Sequence, residues 1–576
     1  MDLIITNEAR CRDCYRCLRA CPVKAIRIRT GDDADTLHAQ VITELCVQDA
    51  RCVLVCPQKA KKVVSELEQV KLHLQHGVPM AVGVAPSFVA GLPLPEPGQM
   101  PALLRRMGFR HVQETSLGAE LVAAQHHRLG LDKPLISSAC PVVVNLIEKH
   151  YPELIPLLAP VVSPMIAHGR YMKQLYPDHL TVFIGPCAAK KEEAQTPGIR
   201  DAIDFALGFD EFWEWVREEG LYPDGLKPEV FDGPQPDLAR LFPIEGGMAR
   251  TIAGNIKTEA QFTAITGLQN CIEFLSYLSR NKTVLPGLME LLACRGGCID
   301  GPLMLGRNED IFVRRQKVIN YYRATAVQGN KDNGATEADL PAELMVRNFI
   351  NRKVILPLPD EQAIRQILAR TGKYHPEDEL NCGACGYDSC RDKAVAVYQG
   401  NAEVQMCIPY MRRRAESMSA LVMNAMPNAI ILVNHDLVIK EVNPAGEHMF
   451  TGTAAEIVGQ KLNKFIEPDS FLQVLQTGKM INNVTVYSQM DMVIRQVIFP
   501  LKNEKIIVGI LVDITAEKKH REQFELVKAQ TIARAQEVIT KQMQVAQEIA
   551  GLLGETTAET KVLLTKLIEL MRQEPL

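Results

Sequence analysis

The chain has 576 residues, of which 47% are hydrophobic and 23% are charged, and its formal net charge is −4. A single hydrophobic core rarely grows to this size, so we expect roughly three to five domains. The near-neutral charge excludes the strongly basic surface of a nucleic-acid-binding or membrane-surface protein. We see no secretory leader, and no uninterrupted apolar run reaches about 18 residues. We therefore expect a cytoplasmic protein with neither nucleic acid nor membrane as a partner.

Sixteen cysteines are the most informative feature of the sequence. In a reducing cytoplasm cysteines rarely pair as disulfides, and nearly all of these fall into spaced groups, which indicates metal ligation. Cysteine content and hydrophobic patterning divide the chain into five predicted domains. These are residues 1–65, 75–355, 358–415, 416–515 and 516–576.

The first block, residues 1–65, carries two cysteine runs. The run "CRDCYRCLRACP" has the spacing C-x2-C-x2-C-x3-C-P of bacterial ferredoxins, in which the fourth cysteine ligates the other cluster. The second run, "CVQDARCVLVCP", has Asp49 where its second cysteine would stand. We predict a two-cluster ferredoxin domain. One cluster would use Cys11, Cys14, Cys17 and Cys56, and the other Cys21, Cys46 and Cys52.

Two interpretations stay open for Asp49. Its carboxylate ligates the fourth iron of a 4Fe–4S cluster, or it stands idle beside a 3Fe–4S cluster. A zinc module is the alternative for the whole block, and two interleaved runs that each end in proline disfavour it.

The second block, residues 75–355, alternates apolar runs such as "PMAVGVAP" and "HLTVFIGP" with helical patterns such as "GAELVAAQHHRL". This alternation predicts an α/β domain. The block ends in the polar, glycine-bearing loop "VQGNKDNGATEADLPAE".

Three cysteine motifs are spread over this block. They read "SSACP", "IGPCAAKKEEA" and "MELLACRGGC", and they contain Cys140, Cys187, Cys294 and Cys298. Four cysteines from three distant places can converge on one cube-shaped cluster. Together with "VAPS" and "EGGMAR", these motifs resemble the signature motifs of the iron-only (FeFe) hydrogenases. The resemblance covers roughly residues 1 to 415.

The resemblance implies an H-cluster held by this block. The four cysteines would hold a 4Fe–4S cube, and Cys298 would bridge it to a two-iron unit that carries CO, cyanide and an azadithiolate. Lys190 would donate a hydrogen bond to one cyanide, whereas the alternative is a lysine in a solvated loop. The implied catalytic positions are Cys298, Lys190, Ala139 and Glu193. The implied cofactor-binding positions are Ala85, Pro86, Ser87, Ser138 and Lys190.

Ala139 departs from the pattern of the catalytic hydrogenases. Those enzymes have a second cysteine at this position, whose thiol passes protons to the azadithiolate amine, and alanine has no ionisable atom. Loss of a positioned acid or base typically lowers a rate by about 10²–10⁴. Gly185 and Leu292 also replace methionines that pack around the two-iron unit. We expect a site that binds dihydrogen and turns it over slowly.

The third block, residues 358–415, contains Cys382, Cys385, Cys390 and Cys407 in the spacing C-x2-C-x4-C-x16-C. It resembles a single-cluster 4Fe–4S module, with zinc as the alternative. Gly383 and Gly386 would let the backbone wrap closely around a cube. We predict a helix over 391–404 that returns the fourth ligand. Cys271, outside every group, is predicted to be a core residue.

Residues 416–515 lack cysteine and contain "VNPAGEHMF" and "IVGQ" within a pattern of two strands, short helices and three strands. On these motifs the block resembles a PAS domain. His448 could ligate a haem in such a fold, although a solvated or capping role is the simpler interpretation. Residues 516–576 resemble a signalling and dimerisation helix with an imperfect heptad seam. We expect this helix to end at Gly554, with a capping box at Thr556 and Glu559 opening a final helix.

The predicted fold class is a multidomain α/β and α+β protein: a ferredoxin-like domain, a two-lobed α/β hydrogenase core, a small iron–sulfur module, a PAS domain and a helical tail. Three functions stay open. The first is a dihydrogen or redox sensor, the second a working ferredoxin-linked hydrogenase, and the third a non-enzymatic iron–sulfur protein without the two-iron unit. Expected partners are dihydrogen, ferredoxin, a separate kinase or phosphatase, and a second copy of the chain. Electrons would enter or leave the central site by two routes, the N-terminal clusters and the Cys382–Cys407 cluster.

Overall fold

The structure, a computed structural model, divides into two compact units, Met1–Tyr410 and Met411–Leu576. It contains no helix that is long and apolar enough to cross a membrane among the residues it describes. Those residues are 2–30, 37–130, 132–253, 262–281, 286–305, 307–328, 339–487, 491–501, 505–553, 562–563 and 565–566.

The first domain of unit one is built from two small antiparallel strand pairs. Strands β1 (Ile4–Thr6) and β4 (Lys61–Val63) pair with each other, as do β2 (Ile26–Thr30) and β3 (Leu37–Val41). The helices α1 (Arg16–Ala20) and α2 (Arg51–Leu54) each lie within one cysteine run. This is the predicted ferredoxin-like fold.

Two parallel sheets form the two lobes of the α/β core. The larger sheet has the order β6-β5-β8-β9, and the smaller has the order β10-β11-β7. The strands are β5 (Met80–Val84), β6 (His111–Glu114), β7 (Pro134–Ile136), β8 (Leu180–Gly185), β9 (Phe205–Gly208), β10 (Phe262–Thr266) and β11 (Gly287–Leu292). Because helices cover parallel sheets on both faces, their strands are near-continuous apolar runs, and β5 and β11 are buried along their whole length.

The helices of the core connect these strands. They are α3 (Leu67–Gln75), α4 (Phe88–Gly91), α5 (Gln99–Arg106), α6 (Ser116–Leu129), α7 (Pro141–His150), α8 (Pro164–Leu175), α9 (Ala189–Ala194), α10 (Phe209–Glu218), α11 (Gly247–Ala253), α12 (Leu268–Arg280) and α13 (Ile311–Gln328). An extended strap, residues 346–352, returns to the core after them. It bonds to Pro160 and Glu148, since the Arg347 amide donates to the Pro160 carbonyl and the Arg352 amide to the Glu148 carbonyl.

The carboxyl ends of the parallel strands lead directly into the cysteine motifs. β5 precedes the "VAPS" turn, β7 precedes Cys140, β8 precedes Cys187, and β11 precedes Cys294. Ligands of open α/β sheets bind outside the carboxyl ends of the strands. The topology therefore gathers distant motifs at one place between the lobes.

The third block forms a small helical module with α14 (Glu361–Ala369), α15 (Cys390–Tyr398) and α16 (Ile408–Ala425). The helix predicted over 391–404 is wrong in length, because α15 ends at Tyr398. Gly400 has a φ of 70°, and its amide donates to the Val397 carbonyl, which closes the helix. The fourth cysteine is returned by this turn and a short 3₁₀ segment.

Unit two contains the predicted PAS fold. Its antiparallel sheet has the order β13-β12-β16-β15-β14, formed by β12 (Ala429–Asn434), β13 (Ile439–Val442), β14 (Ile481–Tyr487), β15 (Met492–Leu501) and β16 (Ile506–Asp513). The helices α17 (Pro444–Met449), α18 (Ala454–Ile457) and α19 (Asp469–Thr477) lie between β13 and β14. Asn443 caps α17 and also donates from its side-chain amide to the Met423 carbonyl near the end of α16.

A long helix, α20 (Thr515–Leu553), follows the last strand of the sheet. The Thr515 hydroxyl and amide both bond to Asp513, which fixes the start of the helix. The predicted helix end at Gly554 and the capping box at Thr556 and Glu559 lie outside the described residues.

Candidate metal centres

The central candidate site is a cavity of about 110 Å³ at the carboxyl ends of the strands. All four cysteines of the three dispersed motifs line it, as the sequence predicted they could. They are Cys140, Cys187, Cys294 and Cys298. The rest of the lining is mostly apolar, and it includes Phe183, Leu292 and Met165.

Local backbone geometry explains why these cysteines converge. Cys140 is the N-cap of α7, and Pro141 follows at the first helical position. The Cys140 side chain therefore lies at the N-terminal end of the helix. Gly297, between the two cysteines of the last motif, has a φ of 104°. A Cβ at this position would lie 2.2 Å from the Pro243 carbonyl oxygen, so only glycine allows this approach.

The cysteine thiols are costly to ionise without a metal. Burial raises the pKa of Cys187 to about 11 and that of Cys298 to about 12, and the neighbouring cysteines add to both shifts. Burial also raises the pKa of Cys294 well above its usual value. Metal binding takes such groups as thiolates and compensates their mutual repulsion. The donor set therefore fits an iron–sulfur cube.

Lys190 reaches the cavity and is not part of a solvated loop. Its side chain is only 12% exposed, and its ammonium donates to the Ala139 carbonyl at 3.3 Å and to Glu193 at 2.6 Å. Glu193 also accepts from Ser163 at 3.0 Å and from Arg347 at 2.6 Å. Burial alone would raise the pKa of the Glu193 carboxyl, but the two cations outweigh it and lower that pKa. Lys191 instead pairs with Glu211.

Two residues of the cavity lining carry buried hydroxyls. Ser87 and Thr115 belong to the lining, and neither of their side-chain oxygens has a hydrogen-bond partner among the described residues. A buried hydroxyl without a partner is unfavourable, so an absent ligand with acceptor atoms would satisfy both. Ser87 and Ala85 fit their predicted place, whereas Thr115 carries no motif that sequence reasoning could have used.

The structure places two predicted binding residues outside the cavity wall. Pro86 is not among the lining residues, although its neighbours are. The Ser138 hydroxyl points elsewhere and donates to the Val161 carbonyl at 2.6 Å. Ser137 lines the cavity in its place, with its hydroxyl 3.0 Å from the Met248 sulfur. The alternation of side chains along this short segment decides which serine faces the site.

Ala139 lines the cavity with a methyl group, next to the cysteine it precedes. Phe183 occupies the space beside Gly185, since a Cβ on that glycine would lie 2.5 Å from the phenylalanine ring. The cavity therefore has an apolar wall where the resemblance implies a thiol and methionines.

Glu290 is a lining residue that the sequence analysis missed. Burial raises the pKa of its carboxyl to about 7, although the backbone amides of Met248 and Ala249 point toward it. Glu290 is the fourth residue of β11 and lies four residues before Cys294. The only sequence feature that could have indicated its role is a charged residue within an apolar strand. Such a carboxyl can hold or release a proton near neutral pH.

The N-terminal cysteines fall into two groups. Burial raises the pKa of Cys17, and Cys11 and Cys14 raise it further, while Cys21 and Cys46 have the same effect on the pKa of Cys52. The structure thus brings Cys21 from the first run to the second group, as the ferredoxin interleaving predicts. Cys56, at the end of the second run, accepts a hydrogen bond from the Ala60 amide at 3.2 Å.

Asp49 joins the second group. It is a charged neighbour of Cys21, Cys46 and Cys52, and burial raises the pKa of its carboxyl. One carboxylate oxygen accepts from the Arg51 amide at 3.3 Å, and the other is buried without a hydrogen bond among the described residues. That second oxygen lies 3.6 Å from the Arg51 guanidinium nitrogen, so the carboxylate is ion-paired beside the cysteine group.

The two runs share one backbone conformation despite this substitution. Four non-glycine residues have positive φ at matched positions, which are Asp13 (46°), Tyr15 (53°), Gln48 (65°) and Ala50 (52°). Residues held in this region cost roughly 1–3 kcal/mol each and persist where the surroundings fix them. The second loop is therefore wrapped for a cluster in the same way as the first.

The module's four cysteines line a further cavity of about 30 Å³. Gly383 and Gly386 have φ values of 67° and 99°, as expected for a backbone wrapped around a cube. The Lys373 ammonium donates to the Cys407 sulfur at 3.3 Å. Hydrogen bonds to cluster sulfurs are typical of iron–sulfur sites.

The exposure of the side chains tests two further predictions, those for Cys271 and His448. Cys271 is fully buried in α12 and packs in the core. His448 is exposed on α17, as expected for a solvated side chain.

Four regions of the chain match known families. Residues 10–60 match the 4Fe-4S dicluster domain, and residues 78–302 match the C-terminal domain of the iron only hydrogenase large subunit. Residues 378–409 match a family described as a putative Fe-S cluster, and residues 417–496 match the PAS fold. Residues 78–302 therefore match the iron-only hydrogenase family, within a chain that also matches a dicluster domain, an extra iron–sulfur module and a PAS domain.

Curated relatives share parts of this arrangement. The NADP-reducing hydrogenase subunit HndD of Solidesulfovibrio fructosivorans is 24% identical over 52% of this chain and 64% of that protein. The periplasmic Fe hydrogenase large subunit of Nitratidesulfovibrio vulgaris is 26% identical over 52% of this chain and 86% of that protein. The cytosolic Fe-S cluster assembly factor NAR1 of Yarrowia lipolytica is 26% identical over 34% of this chain and 45% of that protein. The chain thus spans less than two thirds of HndD.

Proposed function

We propose that this protein senses dihydrogen with an iron-only hydrogenase core of low turnover and passes the signal to a partner protein. The observation that carries the proposal is one cavity that joins four cysteines, Lys190 and two unpartnered hydroxyls to the methyl group of Ala139. The donors support binding of the two-iron unit, and the methyl group deprives that unit of its usual proton carrier. The module and the PAS domain supply a route for a signal.

Each residue of the cavity has a definite task in this proposal. When bound, the two-iron unit would supply the cleavage of dihydrogen into two protons and two electrons. Lys190 would donate to the bound group, and Glu193 accepts from its ammonium and so fixes its position. Ser87 and Thr115 would donate to the same group, and Phe183 adds an apolar part of the wall.

Proton movement is the step that the chain serves poorly. Ala139 has no ionisable group, so its position offers no thiol besides those of the four cysteines that would hold the cluster. Glu290 is a group on the cavity wall that can exchange a proton near neutral pH. Turnover is therefore slow while binding remains intact, which suits a sensor better than a working hydrogenase.

A non-enzymatic iron–sulfur protein is the second candidate, and the relationship to NAR1 favours it. A bare cube needs no donors beyond its cysteines. The buried, unpartnered hydroxyls of Ser87 and Thr115 therefore support the two-iron unit over the bare cube.

Infrared spectroscopy on protein matured anaerobically with the hydrogenase maturases tests the proposal. We expect CO and cyanide bands that change under dihydrogen, together with low turnover. Absence of these bands after successful loading of all cysteine sites would contradict the dihydrogen sensor.

The variant Thr115→Val sharpens this experiment. It removes one donor at constant shape, so we expect the infrared bands to shift because a hydrogen bond to the bound group is lost. Thr181→Val is the matched control, since the Thr181 hydroxyl is buried elsewhere and donates to the Ala202 carbonyl. Identical band positions in Thr115→Val and unaltered protein would remove Thr115 from the site.

The partners belong to the same proposal. Ferredoxin would exchange electrons with the N-terminal domain, and a separate kinase or phosphatase would read the state of the PAS domain through α20. Exposed apolar side chains along α20, such as Val538, Val545 and Ile549, support a homodimer seam.

A further inference from the structure

The iron–sulfur module packs on the ferredoxin domain, which the sequence treated as a separate electron route. Arg19 connects the cysteine loops of both domains, because its guanidinium donates to the Cys14 carbonyl at 2.9 Å and to the Ala384 carbonyl at 3.1 Å. Lys24 donates to the Gly386 carbonyl at 2.9 Å. Ala396 and Met406 of the module share a hydrophobic cluster with Cys21 and Cys46.

Gly386 sets how closely the two loops approach. It has a φ of 99°, and a Cβ there would lie 2.9 Å from Leu18, the residue that follows Cys17. The module loop thus rests directly on the first cysteine run, without room for an intervening side chain.

Tyr387 lies at the junction between the second cysteine group and the module. It is 5% exposed and packs in one hydrophobic cluster with Cys385 of the module and Cys21 of the ferredoxin domain. Its hydroxyl has no hydrogen-bond partner among the described residues, so the ring serves as packing. A close-packed aromatic ring between two ligand cysteines provides a continuous medium for electron transfer.

The charges on the two sides of this junction differ. Lys373 and Lys393 of the module are 5% and 6% exposed, and the Lys373 ammonium bonds to the Cys407 sulfur. On the ferredoxin side, the Cys21 and Cys46 sulfurs accept hydrogen bonds from the backbone amides of Ala25 and Gln48, and the Asp49 carboxylate is ion-paired with Arg51. Net charge and hydrogen bonds to sulfur set cluster potentials, so a lysine that donates to a ligand sulfur favours the reduced state of its cluster.

We propose that the Cys382–Cys407 site is the terminal electron acceptor of this chain, filled through the ferredoxin domain across Tyr387 and held reduced by Lys373. In this transfer a cluster held at Cys21 would lose one electron and be oxidised, and a cluster held by the module cysteines would gain that electron and be reduced. One dihydrogen supplies two electrons and releases two protons, and the electrons reduce two one-electron acceptors. This inference rests on the proposed function for its electron source.

The first test follows the module cluster by electron paramagnetic resonance in the fully loaded protein. Under dihydrogen we expect its reduced signal to appear in unaltered protein and in Tyr387→Phe, and to appear much more slowly in Tyr387→Leu. Cys46→Ser should abolish reduction by dihydrogen, while the chemical reductant dithionite should still reduce the module cluster. Equally fast reduction by dihydrogen in Cys46→Ser and unaltered protein would overturn the route.

A measurement without dihydrogen keeps the route testable if Cys46→Ser fails to fold. In unaltered protein reduced by dithionite, the signals of the module cluster and of the cluster at Cys21 should broaden each other through magnetic interaction. Two unperturbed signals would overturn the proposal. Failure of the proposed function looks different, because the infrared bands of the central site would then ignore dihydrogen while the magnetic interaction remained.

The second test concerns Lys373. In a redox titration, Lys373→Met should lower the reduced-to-oxidised ratio of the module cluster about tenfold at a fixed potential, equivalent to 59 mV for one electron. Lys373→Arg keeps the charge and should restore most of the ratio, and Lys353→Met, an exposed lysine, is the matched control. An unchanged ratio in Lys373→Met would overturn the assignment of this lysine.

Discussion

Ala139 makes a residue-scale prediction that can be measured directly. Ala139→Cys places a thiol on the cavity wall beside Cys140, and we expect hydrogenase turnover to rise about tenfold to a thousandfold, because a positioned acid or base contributes in this range. The measurement is hydrogen oxidation and evolution with the two-iron unit loaded to the same extent. Ala139→Val is the control for volume and should bring no gain. Equal turnover in Ala139→Cys and unaltered protein would contradict the proton-relay argument.

Glu290 predicts a pH dependence of the cavity wall. Its pKa is raised to about 7, so the carboxyl is protonated in the folded protein where an unfolded chain would ionise it. The protonated Glu290 carboxyl therefore contributes fully to the stability of the fold below pH 4.5, the ordinary glutamate value. This contribution is lost as the pH rises through about 7. An infrared band of a protonated carboxyl should disappear with a midpoint near pH 7 and be absent in Glu290→Gln. A midpoint near the ordinary glutamate value would show that the carboxyl is solvated.

At the scale of the element, the second cysteine loop tests the role of Asp49. Asp49→Cys completes the ferredoxin pattern in a loop that already has the required backbone, so it should fold without rearrangement. A soft thiolate in place of a hard oxygen should shift one ferredoxin-like paramagnetic signal and leave the other unchanged. If neither signal shifts, Asp49 is not a ligand.

The strands that position the central site could be predicted because each is marked by a short stretch of consecutive residues in the sequence. Apolar runs followed by a cysteine motif predict buried strands that end at the site, and β5, β8 and β11 do so. Glycine and spacing likewise predicted the wrapped loop of the module at Gly383.

Contacts that join distant segments were not predictable from the sequence. Arg347 reaches Glu193 across 154 positions, and Thr115 enters the cavity from the end of β6 without any motif. Ser137 was missed in favour of its neighbour, because one residue of register decides which side chain faces inward. The docking of the module on the ferredoxin domain depends on Leu18 and Gly386, whose contact is visible only in three dimensions.

For the whole molecule, the central question is whether redox chemistry in unit one changes unit two. α16 begins immediately after the ligand Cys407, and Asn443 of the PAS domain bonds to the Met423 carbonyl near the end of that helix. A unit charge at short range is worth roughly 1–4 kcal/mol, enough to bias a two-state element. We therefore expect hydrogen exchange in residues 418–523 to differ between dihydrogen and argon.

The variant Cys385→Ser tests that coupling. Removal of one ligand should abolish the difference in hydrogen exchange, while infrared spectra show that the central site still responds to dihydrogen. Asp388→Ser is a control in the same loop that leaves every cysteine in place. A difference that survives in Cys385→Ser would show that the signal takes another path.

The strap that carries Arg347 has a consequence for how this protein is made. Synthesis proceeds from the N-terminus, so every cysteine of the central cavity leaves the ribosome before the arginine that neutralises Glu193. Until then the carboxylate has only Lys190 and Ser163 as partners, and the region that residues 346–352 will cover is open. The nascent chain therefore exposes the cavity cysteines in an incomplete site. The contact between Arg347 and Glu193 forms only after the core has been translated.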